Sequence, residues 1–374
     1  MNDKVKVLYI ISTLKRTGPT NVLYNLISEL DRKKIEPIIL TLSSEPLQSS
    51  SLLVDFNELN VKVLSFSLSR IKGFFVARKR IKHIIYSEKI EVVHLFGFRP
   101  DFFVNKFDYE SLKIISTINS NLYDDYTMLY GKFVGKVMAH FHVKSLNGKE
   151  IVACSEFVAN EIKNRYGIRL KIIYNGVPKK IYYKTNENER KASRKKLMLP
   201  LDNHIYVFIG LLIYRKDPIT VLKAFINSNA INNSILLIIG DGPLMDECKS
   251  LCFEHRRNIL FLGNQPSTID YLKASNFYIS SSYSEGLPTS VMEAMGCGLP
   301  VILSNINPHK ELVFNILNYD YSFPVNDYKK LADKIDKIAA DDFDSISESC
   351  YKIISETINS EIMASEYQKL YTIN

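Results

Sequence analysis

Residues 281–303 read SSYSEGLPTSVMEAMGCGLPVIL, and the order of turn, helix and strand signals in them decides the fold. Glu285 stands in a turn, Glu285-Gly286-Leu287-Pro288, and a helical run from Thr289 to Met295 follows with Glu293 inside it. Gly296, Gly298 and Pro300 stop that run before the apolar segment Val301-Ile302-Leu303. Pro288 suits a first helical position, which leaves the backbone N–H groups of Leu287, Thr289 and Ser290 available to a phosphate. Glu293, about one turn in, is placed to accept hydrogen bonds from two neighbouring hydroxyls, and Glu285 to reach another part of the same ligand. Two glutamates in a turn and a helix are also common as solvated charges, so the reading rests on the string as a whole.

Upstream, the strand pattern His204–Ile209 ends in Gly210-Leu211-Leu212-Ile213-Tyr214-Arg215-Lys216-Asp217-Pro218 and leads into a helix. Arg215 and Lys216, a guanidinium beside an ammonium, have the charge to neutralise a diphosphate; the alternative is a pair of exposed charges at a helix start. Ser234–Ile239 is the next strand, and Gly240-Asp241-Gly242-Pro243 turns from it into a helix without the glycine spacing of a dinucleotide fingerprint. Ile259–Gly263 and Phe277–Ser281 complete this series. The first half repeats the alternation, with strands at Lys4–Ser12, Glu36–Leu42, Val61–Phe66, Val92–Leu95, Lys113–Thr117 and Glu150–Cys154. Strands alternating with helices predict doubly wound parallel sheets, with ligands at the carboxyl ends of strands. That directs attention to Gly18, to His94–Asp101 and to Thr117–Asn121.

With these strings in register, the chain resembles the retaining, nucleotide-sugar-dependent glycosyltransferases of family 4. In that family two acidic positions separated by seven residues form the hallmark, matched here by Glu285 and Glu293. The resemblance implies an α/β chain of GT-B fold: two Rossmann-like domains with doubly wound parallel sheets, facing across a cleft, with a C-terminal helix crossing back to the first. The expected divisions are an acceptor domain 1–178, a linker 179–200, a donor domain 201–355 and a returning helix 356–374. Glu285, Arg215 and Lys216 are the expected catalytic residues. Gly18, Gly210, Gly240, Leu262, Gly286, Leu287, Pro288, Thr289 and Glu293 are the expected donor contacts, and His94, Arg99 and Asn119 lie on the acceptor and sugar side. The chain also departs from the pattern. Leu211 replaces an arginine, Phe96 and Asn119 stand where relatives have histidines, and Gly18 is followed by Pro19 where a glycine pair is usual.

The resemblance implies sugar transfer from a nucleotide diphosphate donor, of which UDP is the expected form, to a lipid-linked or glycan hydroxyl in bacterial surface glycan synthesis. Retention at the anomeric carbon is expected, with no metal and no other cofactor. A nucleotide-sugar epimerase of the same fold and a catalytically weak binding subunit are the alternatives. Asp342-Phe343-Asp344 has the form of a metal motif but falls in a polar helical region far from the donor loops.

Length and composition agree with two domains: 374 residues are long for one core, and 46% hydrophobic with 24% charged residues is ordinary for a globular chain. No apolar run approaches a membrane span, and the N-terminus enters a strand directly, so the expected location is the cytoplasm. The five cysteines are scattered without metal spacing and are expected as buried thiols. The net charge of +8 is uneven, since residues 1–175 hold 26 Lys+Arg against 17 Asp+Glu. No nucleic-acid module accompanies it. Part of it lies in Arg70–Tyr86, where six basic residues alternate with Phe74, Phe75, Val76, Ile81, Ile84 and Ile85. Two readings stand: a basic amphipathic helix against the anionic inner face of a membrane, or a helix packed on the sheet with a solvated basic face. Tyr123, Tyr126, Tyr130 and Phe133 are read as core packing, with a contact surface as the alternative.

Overall fold

The computed structural model describes residues 4–45, 51–68, 70–105 and 112–372, and the side chains of residues 70–74 lie outside that description. The chain forms two compact units, residues 1–176 with 360–374, and residues 177–359.

The first unit is built on β1 (Val5–Ile11), α1 (Gly18–Ser28), β2 (Ile35–Thr41), α2 (Leu53–Glu58), β3 (Lys62–Ser65), α3 (Arg70–Ser87), β4 (Val92–Phe96), α4 (Phe98–Val104), β5 (Lys113–Ile118), α5 (Leu122–Tyr130), α6 (Lys132–Ser145), β6 (Glu150–Ala153), α7 (Glu156–Tyr166) and β7 (Lys171–Ile172). Its seven parallel strands run in the order β3-β2-β1-β4-β5-β6-β7. The central strands read as near-continuous apolar runs because both sheet faces are covered, and all five residues of β4 are buried.

The second unit comprises α8 (Glu187–Lys196), β8 (His204–Ile209), α9 (Pro218–Asn227), β9 (Ser234–Ile239), α10 (Met245–Leu251), β10 (Ile259–Gly263), α11 (Ile269–Ala274), β11 (Phe277–Ser280), α12 (Thr289–Gly296), β12 (Val301–Ser304), α13 (Asn307–Val313), β13 (Ser322–Phe323), α14 (Tyr328–Ala340) and α15 (Phe343–Glu356). Its six-stranded parallel sheet runs β10-β9-β8-β11-β12-β13. Residues 179–200, read from composition as a linker, contain α8, which starts on an Asn186–Glu189 capping box. Arg194 on that helix is buried and donates to the carbonyls of Ala274, Leu201 and Asn203 and to Asn276 Oδ1. A charged segment is thereby built into the second unit. Asp342 caps α15 through the N–H groups of Asp344 and Ser345. The five cysteines are free and buried.

The last helix, α16 (Ser360–Tyr371), packs in the first unit. Met363, Ala364, Tyr367, Leu370 and Tyr371 recur at helical spacing and join the core that holds Tyr9, Leu23 and Leu26. Gln368 Oε1 accepts from the N–H of Asp31 at 2.6 Å. Beneath the helix, Tyr371 Oη lies 2.7 Å from His94 Nδ1, and Tyr367 Oη lies 2.7 Å from Thr117 Oγ1. Tyr371→Phe should leave one nitrogen of a buried imidazole without its partner. The expected loss is about 1–3 kcal/mol, read as a lower denaturant midpoint at unchanged slope. No helix among the described residues is long and apolar enough to cross a membrane.

Candidate active site

In the second sheet the chain winds from β8 to one side through β9 and β10 and to the other through β11, β12 and β13. The strand order therefore reverses between β8 and β11, and the loops leaving their carboxyl ends diverge there to form a crevice. Arg215 and Lys216 sit on the first of these loops, in a single 3₁₀ turn from Tyr214 to Lys216. Glu285 sits on the second. The two loops are tied by Tyr283 N donating to Arg215 O at 2.9 Å and by Ser281 Oγ donating to the carbonyls of Lys216 and Asp217.

The three expected catalytic residues meet at this point. Glu285 Oε1 accepts from Lys216 Nζ at 2.5 Å and from Ser282 Oγ at 2.7 Å, while Oε2 accepts from Arg215 Nη1 at 3.2 Å. Arg215 Nη1 also donates to Ser284 O at 2.8 Å. Burial alone would push the Glu285 carboxyl up, but Lys216 first and then Arg215 outweigh it and hold it at about 2. Glu285 is thus an ionised strut beneath two cations whose side chains remain partly exposed.

The helix that follows carries Glu293. Pro288, expected as the first helical residue, is the residue before it, with φ −75° and ψ 104°. The carbonyl of Pro288 accepts from Val291 and Met292, so the N–H groups of Thr289 and Ser290 precede the first turn's bonds. The displacement by one residue leaves the donors at the helix start in place. Glu293 is buried in α12, which packs on nearly all sides, and burial pushes its carboxyl up to about 7 against the opposing hydrogen bond of Tyr182. Gly296 makes room for this pairing, since a Cβ there would meet Tyr182 Cβ at 3.0 Å.

Among the other expected donor contacts, Gly240 has a backbone duty of its own. It sits at φ +135°, and an added Cβ would come within 1.9 Å of Gly210 O. The loops after β8 and β9 touch backbone to backbone, with Gly210 N donating to Ile239 O and Leu212 N to Asp241 O. A Cβ on Gly210 would stand 3.6 Å from Lys216 Cδ, so the glycine floors the lysine's stem. Leu262 is half-buried on the edge strand β10, where its carbonyl accepts from Gln265 Nε2 at 2.6 Å. Leu211, at the position where the resemblance would place an arginine, is 51% exposed. Gly286 and Leu287 continue the Glu285 loop and are buried.

Two features here were assigned no role from the sequence. His309, near the start of α13, is buried with Nδ1 2.9 Å from Ser304 O and Nε2 3.2 Å from Ser280 Oγ. Burial holds it at about 4 despite the nearby Glu285 charge, so it is a neutral imidazole. Ser304 Oγ donates to Ser282 O at 2.7 Å, which continues the network to Glu285. The serine run at 280–282 and 284 was the available signal. Tyr214 stacks on Tyr283, with ring centroids 5.0 Å apart and 12° between planes.

The first unit gives a different outcome for its acceptor-side candidates. His94 is wholly buried, with Nδ1 toward Tyr371 and Nε2 2.7 Å from Thr117 Oγ1, and burial lowers it to about 3. That is a correction: its side chain anchors α16 and presents nothing to a ligand. Phe96, at the position where the resemblance would place a histidine, packs on the same ring at 4.5 Å between centroids. Arg99 Nη1 donates to Ser43 Oγ at 2.6 Å, linking the first turn of α4 to the loop after β2. Asn119 Oδ1 accepts from Asn175 Nδ2 at 3.1 Å. Gly18 is exposed at the first position of α1.

Two Rossmann-like units, one with a charged crevice at its switch point and a returning final helix, define the GT-B class. The Glycosyltransferase Family 4 model matches residues 16–180, and the Glycosyl transferases group 1 model matches residues 189–358. The chain belongs to the family 4 type of glycosyltransferases. It is 32% identical over 155 residues to the Escherichia coli UDP-Gal:alpha-D-GlcNAc-diphosphoundecaprenol alpha-1,3-galactosyltransferase, a match covering 40% of each chain. It is 25% identical over 389 residues to the O-antigen biosynthesis glycosyltransferase WclY of Escherichia coli, covering 98% of each. Among solved structures, Anabaena HepE in complex with UDP and glucose superposes with a TM-score of 0.82 at 15% identity, over 98% of this chain and 99% of that one. A Rickettsia africae glycosyltransferase superposes at 0.78 and 18% identity, over 99% and 98%. At these identities the structural likeness speaks for the fold alone.

Proposed function

We propose that this chain transfers a sugar from a UDP-sugar to a hydroxyl of a lipid-linked or polysaccharide acceptor in surface glycan synthesis, with retention and without a metal. The observation that carries the reading is the Arg215–Lys216–Glu285 cluster at the switch point. Its two cations and the start of α12 gather positive charge where a leaving diphosphate develops negative charge. An ammonium has three donor hydrogens, so Lys216 can hold Glu285 and a phosphate oxygen together. Glu293 receives the ribose hydroxyls. As the resemblance implies, attack comes from the face the leaving group departs from, and the donor phosphate takes the acceptor proton, so no protein nucleophile is called for.

The names of the relatives support the substrate class: one acts on a diphosphoundecaprenol-linked sugar with UDP-Gal and another serves O-antigen synthesis. HepE has been seen with UDP and glucose. The reading places the enzyme in the cytoplasm at the inner membrane face, with the basic residues of α3 toward anionic headgroups. The test is calorimetric titration with UDP followed by donor hydrolysis across a panel of UDP-sugars. Saturable UDP binding and slow release of free sugar from one donor are expected. Absence of UDP binding overturns the reading, and inversion at one sugar centre without release would make the chain an epimerase.

A further inference from the structure

The helices α5 and α6 form a hairpin whose surface is inverted. Gly131, at φ +80°, turns the chain between them, and a Cβ on Gly135 would meet the backbone of Tyr126 and Thr127 at 2.5 Å. The two helices therefore cross backbone to backbone. The inward face of α6 presents small and polar residues. His142 Nε2 lies 3.0 Å from Asp101 Oδ2 and its Nδ1 2.8 Å from Tyr126 Oη, and Lys149 Nζ reaches Asp101 Oδ1 at 3.0 Å, all buried or nearly so. With the polar groups pinned inside, the large apolar side chains are left outside. Phe133 is 81% exposed and Leu129 67%, and Tyr130, Val134, Val137 and Phe141 are exposed with them. Tyr130 and Phe133, read from the sequence as core, stand on the outer surface. An amphipathic helix packed on a globular core shows the opposite arrangement.

We propose that the α5–α6 hairpin is the surface on which the protein lies in an anionic lipid bilayer, with Phe133 and Phe141 in the interface and Lys132, Lys136 and Lys144 among the headgroups. The charge pattern selects this occupant. Residues 128–145 contain three lysines and neither aspartate nor glutamate. A two-fold contact with a second copy would set lysines against lysines around the apolar stripe, whereas anionic lipid meets both parts of the surface. The helix α3 takes the electrostatic share. It packs Ala77, Ile81 and Ile85 into the core and exposes Arg78, Lys79, Arg80 and Lys82. Both α3 and α6 pack beside α4. This reassigns the apolar contact from α3 to the hairpin, and it depends on nothing in the transfer chemistry.

The chain contains no tryptophan, so Phe133→Trp and Phe75→Trp each install a single reporter in the full-length protein. With vesicles of equal parts phosphatidylglycerol and phosphatidylcholine, the Phe133→Trp emission should shift to the blue and be quenched by brominated acyl chains. The Phe75→Trp reporter on α3 should be quenched less. Phe133→Asp with Phe141→Asp should keep the wild-type melting curve and weaken vesicle partition by about tenfold or more. Quenching confined to the α3 reporter, equal partition of the double variant, or no partition at low salt would each overturn the proposal. So would a dimer of the wild-type chain that the double variant dissolves in the absence of lipid, because the face would then belong to a second copy. Vesicle partition is read without donor or acceptor, so its failure and a failure to bind UDP are separate results.

Discussion

Lys216→Met is expected to lower turnover by about 10²–10³-fold, the scale for removing one preorganised stabiliser of transition-state charge. The same change should destabilise the fold, because Glu285 is buried and ionised and would keep only Arg215 as a charged partner. Breaking a buried pair from one side costs about 3–5 kcal/mol, and the partial exposure of Lys216 places the expectation at the lower end of that range. The two consequences separate in a second variant. Lys216→Met with Glu285→Leu removes both charges and should recover most of the stability by chemical denaturation, since an apolar replacement of a whole pair is close to neutral. It should recover none of the turnover or the affinity for UDP. If the double variant regains activity, the cluster is only a structural brace and the diphosphate binds elsewhere.

Acid adds an independent reading of the same carboxylate. Its folded pKa of about 2 lies below the ordinary 4.5, so the native state binds fewer protons than the unfolded chain between those values. The stability it contributes is complete above about pH 4.5 and is lost as the pH falls toward 2. In Glu285→Gln that segment of the stability curve should flatten.

The sheets were legible because buried parallel strands are written as apolar runs and because the turns between them carry glycine, proline and asparagine. The meeting of the loops after β8 and β11 was legible for a related reason: Arg215, Lys216, Glu285 and Glu293 lie on segments whose own start and stop signals fix where they point. His94 was not, since an imidazole in the middle of a short strand reads the same whether a ligand or the hydroxyl of Tyr371, 277 positions away, fills its hydrogen bonds. The α5–α6 aromatics failed for a converse reason. Apolar residues at helical spacing announce that a face is covered, and the close approach at Gly135 that turns the small, polar face inward is a property of the pair of helices. His309 lacked a local signal because its partners, Ser280 and Ser304, come from the ends of two neighbouring strands.

Glu293→Gln should make the protein more stable and bind its donor less well. The carboxyl titrates at about 7 in the fold against an ordinary 4.5, because burial penalises the charge more than the Tyr182 hydroxyl offsets it. Here the native state holds the proton more tightly than the unfolded chain, so stability falls as the pH rises from about 4.5 to about 7 and is level beyond. The full penalty, reached above pH 7, corresponds to about 3 kcal/mol, which an amide of the same shape does not incur. Above pH 7 the variant should therefore melt at a higher temperature than the wild type, with the two curves converging toward pH 4.5. A buried carboxyl whose charge costs stability in the empty protein marks a candidate ligand contact, and the ribose assignment makes a specific demand of it. Two ribose hydroxyls donating to the carboxylate would satisfy it on binding, so UDP affinity should drop by about tenfold in the amide variant. The difference in affinity between wild type and variant should widen as the pH is raised through 7, the range in which the wild-type carboxyl ionises. Calorimetry at several pH values measures both affinities against the same titrating diphosphate, which cancels the ligand's own protonation. An amide variant that is more stable yet binds UDP equally well across that range would detach Glu293 from the ribose and leave its burial as a packing cost alone.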